Sequence, residues 1–212
     1  MEDSRRAFFA QLQYTPRGPQ ARLHRALDAP GRNAVYARIT FGGGLTTALI
    51  HEAIYQAACN NAQVLLLACN HIESFIRHMA DAEVYSARGM VERSVLKSDR
   101  KIAFPENDCL SGQLPGGGFI HFTHYRSLAY PIGSSYDLIL MDNAGFTPGP
   151  AWADIAALLA ERDGSLVIGA SLNRPYCEAF PVWPEMLAHV LRGDPNFTYS
   201  EVNDGCCKRI PK

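Results

Sequence analysis

The chain has 212 residues, of which 47% are hydrophobic and 19% charged, so a largely disordered protein is excluded. Its 20 basic and 21 acidic side chains leave a formal net charge of −1, so any contact with nucleic acid must come from a local patch. No apolar run approaches the roughly 20 residues of a membrane span, and the amino terminus lacks the apolar segment of a signal peptide. These features predict a cytoplasmic protein without membrane contact.

Strands and helices alternate along most of the chain, as in an open α/β sheet. The predicted strands cover 33–39, 64–69, 84–85, 101–104, 119–123, 137–142 and 165–171. The predicted helices cover 19–28, 48–60, 71–79 and 151–159. A glycine-rich turn at 111–118 could close a hairpin, and prolines leave 178–191 partly helical at best. No element is predicted after residue 191, and no linker divides the chain, so one α/β domain is predicted.

Metal-binding and redox motifs are not evident among the cysteines and histidines. The six cysteines contain no C-x-x-C pair, which favours reduced structural thiols. His121 and His124 are three residues apart on a predicted strand, so their side chains point to opposite faces and cannot readily chelate one ion.

A glycine run follows the first long strand and precedes a helix, the position at which backbone N–H groups can cradle a phosphate. Phosphate-binding loops of P-loop NTPases end in Gly-Lys-Thr/Ser, and the corresponding letters here are Gly44-Leu45-Thr46. The Thr46 hydroxyl can still hold Mg²⁺, but the lysine that meets the phosphate oxygens is absent. A plain strand-to-helix turn is the alternative interpretation.

Two further strand ends support the phosphate-site interpretation. Asp142 stands at the carboxyl end of a buried strand, where a Walker B aspartate binds Mg²⁺. The next residue, where a catalytic glutamate would activate water, is Asn143, whose amide cannot accept a proton from water. Ser171 ends a third buried strand and is a candidate γ-phosphate sensor. Simple turns at both strand ends are the alternative.

The order and spacing of these motifs resemble the ATPase domain of viral terminase large subunits, which package DNA into procapsids. Tyr14 to Gln20 resembles their Pro-Arg-x-x-Gln adenine motif, and the segment 117–122 their Gly-x-x-Ile-x-Phe strand. Residues 136–144 resemble the Walker B segment, and 165–171 with 175–180 the coupling motif and the segment after it. The resemblance covers residues 12–183 and rests on the order of the motifs rather than on any one of them.

The resemblance implies a RecA-like P-loop NTPase fold, an open parallel sheet with helices on both faces. It implies an adenine-motif segment, 1–33, packed on an ATPase-like domain, 34–212, with no nuclease domain. Thr46 and Asp142 would hold Mg²⁺. The implied nucleotide-binding residues are Gln20, Gly42, Gly43, Gly44, Leu45, Thr46, Thr47, Asp142 and Ser171.

The chain departs from the family at the positions that carry chemistry. The lysine falls on Leu45, the glutamate on Asn143, and the arginines before Gly-Lys on Phe41 and Gly42, with Arg38 the nearest cation that could be displaced into the role. Losing one preorganised charge partner costs about 10²–10³ in rate. No catalytic residue is therefore expected to be intact, no cofactor is required, and ATP with Mg²⁺ is expected to bind weakly or not at all.

Three functions remain open. The first is an inactive subunit that binds motor subunits, a portal or double-stranded DNA, in homo- or hetero-oligomers in the host cytoplasm. The second is a weak authentic ATPase of a viral packaging motor. The third, a helicase-like first lobe, is disfavoured because no second lobe follows. Support for DNA contact comes from two basic stretches, each of which could equally be solvated surface. They comprise Arg5, Arg6, Arg17, Arg22 and Arg25, and Arg88, Arg93, Lys97, Arg100 and Lys101.

Overall fold

A sheet of eight strands forms the centre of the structure, a computed structural model that describes residues 3–68, 109–113, 117–124, 135–144, 151–172, 182–204 and 207–209. The strands are β1 (Asn33–Thr40), β2 (Gln63–Ala68), β3 (Cys109–Gln113), β4 (Phe119–His124), β5 (Leu138–Met141), β6 (Ser165–Leu172), β7 (Thr198–Asn203) and β8 (Cys207–Arg209). The described helices are α1 (Asp3–Gln11), α2 (Gly18–Ala26), α3 (Leu45–Asn60), α4 (Ala151–Ala160) and α5 (Val182–Gly193).

The strand order is β3-β4-β2-β5-β6-β1-β7-β8. The six central strands run parallel, and β3 and β8 pair antiparallel at the two edges. The centre is parallel because its strands are nearly continuous apolar runs, which can be buried on both faces. All of Leu138–Met141 and most of Asn33–Thr40 are buried. The predicted parallel sheet of a P-loop NTPase-like fold and its four core strands are confirmed.

Helices cover both faces of this sheet. Alternate residues of β1 divide between two apolar cores: Val35, Ala37 and Ile39 face the core that α1, α2 and α3 close. Ala34 and Tyr36 face the second core, which α4 and α5 close. This two-layer cover leaves the carboxyl ends of the parallel strands as the edge at which ligands bind in such sheets.

Several predictions about elements need correction. Residues 3–11 form a helix that was not predicted, and residues 198–203 and 207–209 form two strands where none was expected. Residues 182–193 form a continuous helix, because Pro184 falls in its first turn, where a missing N–H removes no intrahelical bond. The hairpin is confirmed, since β3 and β4 pair antiparallel. The predicted elements at 71–79, 84–85 and 101–104, and the segment 175–180, lie outside the described residues.

Candidate functional site

The glycine loop joins the end of β1 to the start of α3 at the carboxyl edge of the sheet. The N–H of Gly43 donates to the carbonyl of Thr40 at 2.7 Å, so the loop begins as a tight turn. Gly44 is the N-cap of α3 and has no side chain with which to cap the helix. The first N–H groups of a helix have no partner within it, so this 16-residue helix presents uncapped donors at the loop.

Two of the glycines are required by the shape of this loop. Gly44 has φ +78°, and a Cβ there would lie 2.2 Å from Nε2 of Gln20. A Cβ on Gly43 would lie 2.6 Å from Cγ2 of Ile39 and 2.8 Å from the carbonyl oxygen of Thr40. Close approach as well as positive φ therefore restricts both positions to glycine.

Thr46 and Asp142 meet at the carboxyl edge of the sheet. The Thr46 hydroxyl donates to Oδ2 of Asp142 at 3.0 Å, and the backbone N–H of Asp142 donates to the Leu67 carbonyl at 2.8 Å. Strand β6 lies between β1 and β5, so the loop and the aspartate flank its end. The prediction that loop 42–46 and Asp142 lie side by side is confirmed. A hydroxyl beside a carboxylate is a donor set that fits Mg²⁺.

Leu45 does not place a side chain among the loop's donors. Its side chain is 4% exposed, and its two methyl carbons would lie 3.1 and 3.3 Å from a Cβ built on Gly169 of β6. The side chain thus packs over Gly169, in the core closed by α1, α2 and α3. No cation takes the place of the missing lysine at residue 45 itself.

Arg38 does not supply that charge either. It shares a strand face with Tyr36, and its guanidinium carbon lies 5.6 Å from the centre of the Tyr36 ring. That face is opposite the one covered by α3. Burial, with the charge of Glu185, raises the pKa of Tyr36 to about 12, so the ring beneath Arg38 is neutral at pH 7.

The residue after Asp142 is buried in an unusual conformation. Asn143 has φ 53°, in the left-handed region that asparagine tolerates better than most residues. It is 8% exposed, and its Oδ1 atom has no hydrogen-bond partner. Ser171 lies on the neighbouring strand end, opposite Ile39 in the β1–β6 register. Both residues are therefore near the loop, as the motif spacing predicted.

Gln20 reaches the loop from α2 and uses both ends of its amide within the protein. Its Oε1 accepts the backbone N–H of Arg17 at 2.8 Å, and its Nε2 donates to the carbonyl of Gly44 at 3.0 Å. The residue is 8% exposed. Its predicted contact with a nucleotide stays a prediction.

A buried ionic network, not found from the sequence, fixes the two amino-terminal helices to α3. Arg5 of α1 contacts Glu52 of α3 at 3.1 Å and also pairs with Asp28. His24 of α2 donates from Nδ1 to Glu52 at 2.6 Å. Burial raises the pKa of Glu52, but the hydrogen bond and charge of His24 and the charge of Arg5 outweigh it, so the pKa is lowered. The carboxylate is thus ionised and paired.

This network corrects one prediction about the basic stretches. Arg5 is 2% exposed and ion-paired, so it cannot belong to a DNA-binding patch or a solvated face. Arg6, Arg17 and Arg25 are exposed, whereas Arg22 donates to the carbonyl of Asn203 at 2.9 Å. The second stretch, 88–101, lies outside the described residues.

The parts of the chain that the structure describes contain no group of three or more His, Cys, Asp or Glu side chains placed to hold a metal ion. His121 is buried and hydrogen-bonds through Nδ1 to the Tyr136 hydroxyl. Within the same ranges no helix has the length and apolar character needed to cross a membrane.

Comparison with known proteins identifies the fold. No family model matches the chain, and no curated protein matches it. The large terminase ATPase domain of Thermus phage P74-26 aligns with a TM-score of 0.53 at 17% identity, over 83% of this chain and 72% of that one. The large terminase of a second thermophilic bacteriophage gives 0.57 at 11% identity, over 90% of this chain and 46% of its own. The chain therefore has the P-loop NTPase-like α/β fold found in phage large-terminase ATPase domains.

Proposed function

We propose that the chain is a terminase-like subunit of a viral DNA-packaging motor that does not hydrolyse ATP and acts by binding motor subunits, a portal or double-stranded DNA. The observation that carries the proposal is the 3.0 Å hydrogen bond from Thr46 to Asp142 beside an uncapped helix N-terminus. This pairing has the arrangement of a P-loop and a Walker B strand, and it is built on the fold of the terminase ATPase domains.

The residues at the loop support nucleotide contact without efficient chemistry. Thr46 and Asp142 would hold Mg²⁺, and the loop N–H groups would face phosphate oxygens, where the bound metal neutralises phosphate charge. Leu45 is buried against Gly169 and offers no cation to the phosphates. Asn143 can hydrogen-bond a water molecule but cannot take its proton. Binding is therefore expected to be weak and hydrolysis absent.

The alternative of a weak authentic ATPase is favoured by the same Thr46–Asp142 pair, since a decayed site has no need to keep it. An arginine from a partner subunit could complete such a site. Calorimetry with Mg²⁺ and a slowly hydrolysed ATP analogue, followed by a turnover assay on the same sample, separates the two. Binding without turnover supports the inactive subunit, and turnover that requires Asp142 supports the ATPase.

The partner side of the proposal has its own experiment. A tagged copy of the chain, expressed during infection by the virus that encodes it, is expected to purify with a full-length packaging subunit or a portal from the host cytoplasm. The matched control is the same tagged chain expressed without infection. Recovery of the same proteins in both samples, or of the chain alone in both, would contradict a role in the motor.

A further inference from the structure

The amide of Gln20 is fully engaged inside the protein. One end accepts the Arg17 N–H at 2.8 Å, which closes the first turn of α2, and the other donates to the Gly44 carbonyl at 3.0 Å. The side chain is buried, and no Cβ could occupy residue 44 without lying 2.2 Å from Nε2. An amide used in this way has no free edge to offer an adenine base.

The helix that carries Gln20 is held rigidly against α3. His24, one turn after Gln20, is fully buried and donates to Glu52, which also contacts Arg5 of α1. Tyr14 adds a hydrogen bond to His24 at 3.1 Å and stacks on His51 of α3 with ring centres 3.8 Å apart. Because these contacts join α2 to the helix that the loop begins, Gln20 has little freedom to leave Gly44.

We infer that Gln20 is a positioning residue for the glycine loop, which it pins through the Gly44 carbonyl, and not a reader of the nucleotide base. The pinned carbonyl is the acceptor for the first backbone bond of α3, from the N–H of Ala48 at 3.0 Å. The pin therefore fixes the direction in which the uncapped N–H groups of α3 point. The inference rests on the proposed function only in treating this loop as the phosphate-binding segment.

Two substitutions separate the two ends of the Gln20 amide. Gln20→Glu keeps an oxygen for the Arg17 N–H, since glutamate serves equally well at the third position of a helix, but it has no N–H to donate to Gly44. Gln20→Ala removes both bonds. Gln11→Glu, at an exposed glutamine of α1, is the matched control for the added charge.

Amide hydrogen exchange followed by NMR on the ligand-free full chain is the test, so its result does not depend on nucleotide binding or on a packaging role. In Gln20→Glu, the amides of Gly43 and Ala48 should exchange between about twofold and tenfold faster, the range given by one hydrogen bond of ordinary net strength. The Ala21 amide, which donates to the Arg17 carbonyl, should be unchanged in Gln20→Glu and faster in Gln20→Ala.

Unchanged exchange at Gly43 and Ala48 in Gln20→Glu would overturn the inference. So would faster exchange there that is matched by Gln11→Glu, because that would reflect charge rather than the lost donor. A preference for ATP over GTP in the wild-type chain that Gln20→Ala removes would also overturn it, since it would make Gln20 a base reader.

Discussion

The hydroxyl of Thr46 donates a hydrogen bond to Oδ2 of Asp142 across 96 residues of sequence. The two residues belong to different strand-end loops, and β6 separates the strands that carry them. Asp142 is 6% exposed, so this bond is formed away from bulk water. A buried carboxylate that accepts a hydroxyl in this way is positioned before any ligand arrives.

Thr46→Val tests the worth of this bond. Removing the hydroxyl leaves Oδ2 of Asp142 without that donor, so the free energy of unfolding should fall by about 1–3 kcal/mol. Urea denaturation provides the measurement. Thr47→Val is the matched control, because no side-chain hydrogen bond involves Thr47 in the described ranges, and it should cost less than about 0.5 kcal/mol. Equal losses from the two variants would contradict a specific Thr46–Asp142 contact.

Leu45→Lys should trade stability for nucleotide affinity. Removing a buried leucine from its place over Gly169 should lower the free energy of unfolding by about 2–3 kcal/mol, measured in urea. Binding of Mg²⁺-ATP, measured by calorimetry, should improve, because the ammonium group can reach the phosphates in the ground state.

Leu45→Met is the matched control for this pair of effects. It preserves volume and apolar character, so it should cost less than about 1.5 kcal/mol and leave nucleotide binding unchanged. If Leu45→Lys and Leu45→Met bind Mg²⁺-ATP equally, the loop does not cradle phosphate, and the fold serves partner binding alone.

The sheet and the pairing at its edge could be predicted because each depends on local pattern. Runs such as Val64–Leu67 identify buried parallel strands, and a carboxylate at the end of one of them must lie at the same edge as the glycine loop. The position of Asp142 beside Thr46 therefore followed from strand direction alone.

The amino-terminal helix and the last two strands could not be predicted in this way. Five arginines among the first 25 residues made the segment appear solvated, although Phe8, Phe9 and Leu12 are buried. The burial of Arg5 depends on Glu52 and Asp28, whose partnership exists only in the folded chain. Strand β7 alternates weakly, because only three of its six residues are buried, and its place depends on pairing with β1.

Glu52→Gln should be strongly destabilising, because it removes the negative charge that His24 and Arg5 share in a fully buried position. Breaking a buried ion pair from one side costs about 3–5 kcal/mol, which urea denaturation at pH 7 can measure. Glu161→Gln, at an exposed position, is the matched control and should be near neutral. A loss below about 1 kcal/mol for Glu52→Gln would contradict a network that holds α1 and α2 on α3.

His121 should make stability depend on pH between 5 and 7. Burial lowers the pKa of His121 to about 4, so in this range the unfolded chain binds a proton that the folded chain does not. Stability therefore falls as pH falls, by about 2 kcal/mol between pH 7 and pH 5. Urea denaturation across this range should show the slope, and His121→Gln should reduce it.

His189→Gln serves as the control for the pH series, because His189 is exposed on α5 and its removal should leave the slope unchanged. The paired carboxylate of Glu52, whose pKa is lowered, adds its own loss of stability only at more acidic pH. A slope that survives His121→Gln would assign the pH dependence to another group.

Asn143→Glu should act on chemistry rather than on binding. A glutamate at this position can take a proton from an attacking water, whereas the amide of Asn143 cannot. In a Leu45→Lys background, adding Asn143→Glu is expected to raise turnover while leaving the affinity for Mg²⁺-ATP within about twofold, as for a group that acts mainly in the transition state. Steady-state turnover and calorimetry on the same variants provide the comparison.

The most direct test of the central claim is steady-state ATP turnover by the purified wild-type chain, alone and with double-stranded DNA, against Asp142→Ala prepared in the same way. The proposed function predicts that both proteins show only background phosphate release, because Leu45 supplies no charge and Asn143 no base. Turnover by the wild-type chain that disappears in Asp142→Ala would contradict it and make the protein an ATPase with an unconventional site.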